Sequence, residues 1–220
     1  MKKNVDIKID TLPTLLPLLP LHGAVLLPRA QLPIPIFEVD YLSMVADSLK
    51  SHHIIGVVQP ILKDMNVEEN ISLFRSGCAG KISDISEIED ERLLVTLTGL
   101  CRFDIVEELP VENGQRKATV CYDRYTQDLI EEIDFTFDRP RLLKALKPYF
   151  KSVDITPNWQ EIGQTSNEKL ITALAMVCPL EAREKQALLE TPTLKEQSQM
   201  FITLIEMAAM GKADHSISCH

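Results

Sequence analysis

The sequence is poor in glycine, and its glycines are too scattered to form a nucleotide-binding loop. Only 8 of the 220 residues are glycine. Phosphate-binding loops need Gly-x-x-x-x-Gly-Lys followed by Ser or Thr, and dinucleotide-binding loops need Gly-x-Gly-x-x-Gly, because backbone N–H groups must approach the phosphates closely. The two Gly-Lys pairs, at Gly80 and Gly211, have neither the earlier glycine nor the following hydroxyl. The sequence therefore argues against ATP and NAD, and we expect no cofactor.

Cysteine pairs with metal-binding or redox spacing are also absent. No Cys-x-x-Cys occurs among the five cysteines, which are Cys78, Cys101, Cys121, Cys178 and Cys219. This removes the basic unit of zinc-finger and thioredoxin sites, so we expect no metal site. The first three lie in β-like runs, where a buried, reduced thiol acts as a small apolar side chain. No catalytic residue is predicted, although a cysteine–histidine pair formed by the fold would still permit a cysteine-dependent hydrolase.

Basic charge and long apolar runs are scarce too. The chain has 23 Lys and Arg against 32 Asp and Glu, a formal charge of -9. Binding to nucleic acid needs a positive surface, so we expect nucleic acid not to be the main partner. The apolar stretch at residues 12–21 carries three prolines, too many for a signal peptide or a spanning helix. We therefore expect a cytoplasmic protein without a membrane partner.

Prolines are concentrated near the N-terminus, with six of the 13 between Pro13 and Pro35. Proline removes a backbone donor and excludes helix, so residues 12–38 predict extended strands at a sheet edge and a loop at residues 22–31. A helix capped by Asp40 is predicted to follow, since apolar residues then recur at helical spacing.

Alternating apolar residues further along the chain predict a β-rich region. The strands are predicted at residues 54–59, 73–86, 92–109 and 117–125. Asn113 and Gly114 tolerate positive φ and predict a turn before the last of them. About six strands are expected in all, which favours a closed or partly closed β-barrel.

Beyond residue 128 the apolar spacing becomes helical and predicts a small bundle of about four helices. Helix starts are predicted from Asp138 with Pro140, Pro179, and the capping boxes Thr165–Glu168 and Thr193–Glu196, and helix ends near Pro148 and Gly211. We therefore predict an α+β chain with a β-rich subdomain at residues 12–128 and a helical bundle at 129–211. Residues 212–220 are expected to form a frayed tail.

Several segments occur in the order typical of one family. They are LPLLPLHGAVLLP at residues 16–28, LPIPIFE at 32–38 with Tyr41, Met44 and Val45, GCAGKI at 77–82, TGLCRF at 98–103, and Trp159, Pro179 and EKQALLE at 184–190. Together they resemble the N-terminal, substrate-binding domain of Lon proteases over about residues 12–210. Val39 and Asp40 depart from the family's usual Pro-Arg before the first helix. The resemblance implies a PUA-like β pseudo-barrel followed by a helical bundle.

The resemblance also implies a non-catalytic module that binds unfolded or extended polypeptide segments. The ATPase and Ser-Lys protease modules of the family have no counterpart here, so we expect a standalone domain, with an adaptor role on a separate protease or ATPase in protein quality control. The Pro-rich sheet edge would accept an added strand. Leu26, Leu27 and Met65 are predicted to supply apolar pockets, with burial beneath loops as the alternative for each. An RNA-binding PUA-like module and a cysteine-dependent hydrolase are the other functions left open.

Overall fold

The structure is a computed structural model that describes residues 8–61, 72–88, 92–130 and 135–215, with side chains to residue 210. The described residues fall into two units. The first lies within Met1–Glu131 and Leu180–Glu190, and the second within Glu132–Pro179 and Thr191–His220. This is the α+β class expected from the sequence.

The first unit is built on strands that close into a ring. The strands are β1 Leu15–Pro20, β2 Gln31–Ile36, β3 Ile54–Val58, β4 Pro60–Ile61, β5 Ser72–Leu73, β6 Ser76–Ile88, β7 Arg92–Glu108 and β8 Arg116–Cys121. Six of them form one sheet in the order β2-β7-β6-β3-β1-β8. Because β7 also pairs with β8, strands β7, β6, β3, β1 and β8 form a closed barrel, and β2 lies outside it along β7. The predicted barrel is confirmed.

The expectation that the Pro-rich residues 12–38 form strands at a sheet edge is wrong for β1, which is not at the edge. It lies between β8, which pairs with its first half, and β3, which pairs with its second half. Each half is thus paired mainly on one side, which leaves room for Pro17 and Pro20 without loss of many ladder bonds. The edge strand is β2, which carries Pro33 and Pro35 and pairs with β7 alone among the described residues.

The core of the first unit lies inside this barrel. Phe103 of β7 is fully buried and packs among apolar side chains from β1, β3, β6 and β8. The helix α1 Val39–Leu49 buries Met44 and Val45. It begins after Glu38, so Asp40 lies in its first turn rather than at the predicted cap. An acidic side chain in the first turn still interacts favourably with the helix dipole.

Helix α5 Ala182–Glu190 belongs to the first unit although its sequence lies among the other helices. The Nε2 atom of Gln59 donates to the carbonyl oxygen of Ala182 at 2.9 Å. The side chain of Gln186 donates to the carbonyl oxygen of Ser76 at 3.0 Å. These bonds hold the helix against the barrel. The chain leaves this unit after Glu131 and returns to it at Leu180.

The second unit consists of helices. They are α2 Arg139–Ser152, α3 Trp159–Gln164, α4 Asn167–Val177 and α6 Leu194–His215. Two predicted caps are confirmed. Asp138 Oδ1 accepts a hydrogen bond from the backbone N–H of Arg141 at 3.0 Å. Thr193 and Glu196 form the reciprocal capping box, with Thr193 Oγ1 accepting from Glu196 N–H at 3.2 Å and Glu196 Oε2 accepting from Thr193 N–H at 3.3 Å.

Three predicted helix boundaries in the second unit are wrong. Helix α4 is preceded by Ser166 at the cap position, and Thr165 Oγ1 instead donates to the carbonyl of Glu161. Helix α2 continues past Pro148, which is exposed, so the missing hydrogen bond falls on the solvent side. Helix α6 continues past Gly211 to His215, so the helix includes the start of the expected frayed tail, and residues 216–220 lie outside the described residues.

Candidate functional site

The loop at residues 21–30 places Leu26 and Leu27 in the interior. Both side chains are 0% exposed. They occupy space left by Gly80 of β6 and Gly99 of β7, which are paired across the two strands. A Cβ atom on Gly99 would lie 2.1 Å from the carbonyl oxygen of Leu27, and one on Gly80 would lie 2.6 Å from Leu26 Cδ2. These positions are glycine because the loop passes directly over them.

Backbone and side-chain hydrogen bonds hold this loop in place. Arg29 N–H donates to the carbonyl of Gly99 at 2.8 Å, and Gly99 N–H donates to the carbonyl of Ala30 at 2.9 Å. Arg29 Nη1 donates to the carbonyl of Asp128. A direct contact of Leu26 or Leu27 with a polypeptide would require the loop to open. Their binding role stays a prediction, as does that of Met65, which lies outside the described residues.

An ion pair between Arg102 and Asp128 is buried beside the loop. Arg102 Nη2 lies 2.6 Å from Asp128 Oδ1, and both side chains are about 6% exposed. Asp128 Oδ2 also accepts from Arg102 Nε at 2.9 Å. The guanidinium lies 4.5 Å from the centre of the Tyr125 ring. Burial alone would lower the pKa of Arg102, but the bonds and charge of Asp128 raise it. The pair positions the 3-10 helix Asp123–Leu129 and is a structural element.

The buried thiols are in surroundings that suppress their reactivity. Cys78 and Cys101 are both 0% exposed. Burial raises the pKa of Cys101 to about 12 and raises that of Cys78 strongly, in each case with the charge of Asp128 adding to the effect. A nucleophilic cysteine needs a lowered pKa and access to solvent. Cys178 is buried, Cys121 is half-buried, and Cys219 lies outside the described residues.

The histidine, cysteine and acidic side chains of the described residues form no group of three or more that could hold a metal ion. In the same part of the chain, no helix is both long and apolar enough to cross a membrane.

A three-stranded extension of the barrel unit, which we call the arm, carries several exposed apolar side chains. It consists of β2, residues 92–98 of β7 and residues 81–88 of β6. Because side chains alternate along a strand, the arm has two faces. One is the inner face, which is largely buried and carries Ile34, Ile36, Ile82, Val95 and Leu97.

The opposite face, the outer face, presents a group of apolar side chains among polar ones. The apolar members are Pro33, Pro35, Phe37, Ile88 and Leu94, and the polar members are Asp84, Ser86, Arg92 and Thr96. Phe37 is 60% exposed and Ile88 is 42% exposed. Adjacent exposed apolar side chains of this kind mark interaction surfaces more often than single exposed ones do.

A cationic side chain borders Phe37 on the outer face. The guanidinium carbon of Arg92 lies 5.9 Å from the centre of the Phe37 ring, within the range of a cation–π contact. The face therefore offers apolar contact, an aromatic ring, the cation of Arg92 and the carboxylate of Asp84.

Sequence reasoning missed the outer face, although one signal pointed to it. Ile34 and Ile36 are buried, so the alternation of β2 turns Pro35 and Phe37 to the opposite side. The exposure of Phe37 could have been read from this pattern. The position of Ile88 on the same face could not be predicted from the sequence, because it depends on the register of β6 on β7.

Solved structures identify the class of fold. The chain is similar to a Lon N-terminal domain protein from Xanthomonas campestris, with a TM-score of 0.58, 23% identity, and coverage of 87% of this chain and 98% of that one. It is also similar to the N-terminal domain of the Mycobacterium avium complex Lon protease, with a TM-score of 0.60, 16% identity, and coverage of 87% and 97%. The fold is therefore that of a Lon N-terminal domain.

Family and sequence comparisons then place the chain more closely. Residues 15–207 match the ATP-dependent protease La (LON) substrate-binding domain. The chain belongs to this family, which confirms the resemblance seen in the sequence.

Among curated relatives, Lon protease 2 of Myxococcus xanthus is 23% identical over 198 residues, which cover 89% of this chain and 24% of the relative. Lon protease of Syntrophus aciditrophicus (strain SB) is 26% identical over 213 residues, which cover 92% of this chain and 26% of the relative. The chain thus spans about a quarter of the length of the curated relatives it matches.

Proposed function

We propose that this chain is a non-catalytic recognition module that binds unfolded or extended polypeptide segments through the outer face of the arm. The observation that carries the proposal is the exposed group of apolar side chains around Phe37. Membership of the substrate-binding family supports polypeptide as the ligand.

The shape of the outer face fits an extended ligand. Strands run along its length, and Pro33 and Pro35 of β2 alternate with buried residues, with Phe37 following directly after the strand. A segment without folded structure can bring its apolar side chains to such a row, whereas a folded protein keeps most of them buried. Selectivity for unfolded chains would follow from this difference.

The two other functions have less support. A cysteine-dependent hydrolase would need a reactive thiol, whereas burial raises the pKa of Cys78 and Cys101. An RNA-binding module is opposed by the charge of -9. Retention on RNA that decreases steeply with added salt would support the RNA function against the one proposed here.

The experiment compares binding of reduced, carboxymethylated α-lactalbumin, which is permanently unfolded, with binding of the native protein. We expect only the unfolded form to bind. Phe37→Ser should weaken its binding about tenfold, because aromatic anchors dominate binding surfaces. Met207→Ser is the matched control, since Met207 is 63% exposed but lies on α6 of the second unit. Equal affinity of the wild type and Phe37→Ser would remove the outer face from the proposal.

Met65, which lies outside the described residues, is tested separately by Met65→Asp. A loss of affinity with an unchanged melting temperature would add Met65 to the surface. Unchanged affinity would remove it.

An adaptor role is part of the proposal. The module would present its polypeptide to a separate protease or ATPase in the cytoplasm. The supporting result would be copurification of the tagged chain with an identified ATPase or protease subunit, retained in the Phe37→Ser variant.

A further inference from the structure

The arm ends in two strand edges that differ in their backbone chemistry. One is the outer edge of β2. The other is the distal edge of β6, residues 83–88, which in the described part of the chain pairs with β7 alone, since the pairing of β6 with β3 ends at Lys81. An unpaired edge is a template for an added strand only where its N–H and C=O groups face outward.

The direction of these groups follows from the bonds at Gly99. Both its N–H and its C=O bond to the chain leading into β2, through Ala30 and Arg29. Backbone groups of successive strand residues point to alternate sides. Residues 93, 95 and 97 therefore face β2, while Leu94 and Thr96 face β6.

The same alternation determines which backbone N–H and C=O groups of β6 point outward. Leu94 pairs with Ser86 of β6, and its neighbour Val95 pairs with Ile85. Ser86 thus bonds to β7, whereas the N–H and C=O groups of Ile85 and Glu87 point outward. These two residues are about 7 Å apart along the strand, which is the repeat of a β-ladder.

The β2 edge lacks the corresponding donors. Its outward positions, opposite Thr96 and Leu94, are Pro33 and Pro35. Proline has no N–H, so this edge cannot donate a hydrogen bond there. The sequence had suggested the Pro-rich edge as the place for an added strand. In the structure this edge, that of β2, is the one of the two that lacks outward N–H groups at these positions.

We propose that an extended segment of the bound polypeptide adds as a β-strand to the distal edge of β6, through the backbone groups of Ile85 and Glu87. This rests on the proposed function and names its binding mode and ligand class. On one face the added strand would lie beside Ile88 and Asp84, and on the other beside Ile85 and Glu87. The distal half of β6 carries these two carboxylates and no basic residue, so the favoured segment combines apolar with basic side chains.

The test compares two substitutions at one position. Glu87→Pro removes the outward N–H, and Glu87→Ala removes the same charge while keeping the N–H. Both should fold, because neither removes a bond to β7. The probe is a short peptide of alternating valine and lysine. We expect Glu87→Pro to bind it about tenfold more weakly than Glu87→Ala, and a valine–glutamate peptide to bind the wild type more weakly than the valine–lysine peptide.

A second measurement reports on the hydrogen bonds themselves. Saturating valine–lysine peptide should slow amide hydrogen exchange at Ile85 and Glu87 in the wild type about tenfold or more, because these amides become ladder donors. Equal peptide affinity of Glu87→Pro and Glu87→Ala, or unchanged exchange at both amides, would overturn the proposal.

The controls separate this proposal from the proposed function. If carboxymethylated α-lactalbumin binds Glu87→Pro as tightly as Glu87→Ala, strand addition is wrong while recognition by the outer face stands. If the wild type binds neither probe, both proposals fail. If the wild type dimerises and Glu87→Pro is monomeric, the edge is occupied by a second copy of the chain, which contradicts a polypeptide ligand there.

Discussion

Two apolar stretches close together in the sequence end in opposite places. The loop carrying Leu26 and Leu27 is buried, whereas Phe37, at the end of β2, is 60% exposed. The difference comes from the surface that each stretch meets. Gly80 and Gly99 let the loop backbone lie against the sheet, while among the described residues no element covers the outer face of the arm. Hydrophobicity alone therefore does not separate the core from the exposed surface in this chain.

The largest expected effect is a loss of stability when the buried stretch is changed. Leu27→Ala should lower the free energy of unfolding by about 3 kcal/mol, because it leaves a cavity at a fully buried position. Phe37→Ala should change it by only about 0.5 kcal/mol. Urea denaturation of both variants measures the difference. Similar losses in the two would mean that Phe37 is part of the core.

This comparison also shows what the sequence could and could not reveal. Local signals were sufficient for the turn at Asn113 and Gly114, where both residues have positive φ, and for the capping box at Thr193. They left two outcomes open for Leu26 and Leu27, contact with a polypeptide or burial beneath a loop, because the space that these leucines fill exists only when Gly80 and Gly99 are paired across two strands.

The position of α5 in the first unit could not be predicted from the sequence for the same reason, because it depends on long-range contacts. Its apolar spacing correctly indicates a helix, but its position in the first unit depends on long-range bonds, such as that from Gln59 to Ala182. No spacing within the helix encodes these partners. The arm could be predicted only in part. The alternation of β2 indicates that Phe37 is exposed, but the outward direction of the backbone groups of Ile85 follows only from the register of β6 on β7.

A second prediction tests the glycine surface beneath the loop. Gly99→Ala should destabilise the protein by about 2 kcal/mol, because its Cβ would overlap the carbonyl of Leu27, at 2.1 Å, and displace the loop. The matched control is Gly163→Ala in α3, where a Cβ meets no atom within 4 Å. That change should be neutral or stabilising by up to about 1 kcal/mol. Thermal unfolding of both variants provides the measurement, and a neutral Gly99→Ala would show that the loop does not depend on this contact.

The last prediction concerns reactivity rather than stability, at the thiols on the buried side. Because burial raises the pKa values of Cys78 and Cys101, little thiolate is present at pH 8, and labelling of these two thiols in the native protein by a disulfide reagent should be about a hundredfold or more slower than after denaturation. The rate should rise with pH as the thiolate fraction grows. Mass spectrometry of the labelled peptides identifies each site. Rapid labelling of Cys78 or Cys101 in the native protein would restore the hydrolase as a candidate.

The most direct test of the central claim is residue-resolved hydrogen exchange of the whole chain with and without carboxymethylated α-lactalbumin. The polypeptide should contact the outer face and the distal edge of β6, so exchange should slow at Phe37, Ile85 and Glu87 and stay unchanged at residues 22–30. Slowed exchange confined to residues 22–30, with none in the arm, would contradict the account and assign binding to the loop of Leu26 and Leu27.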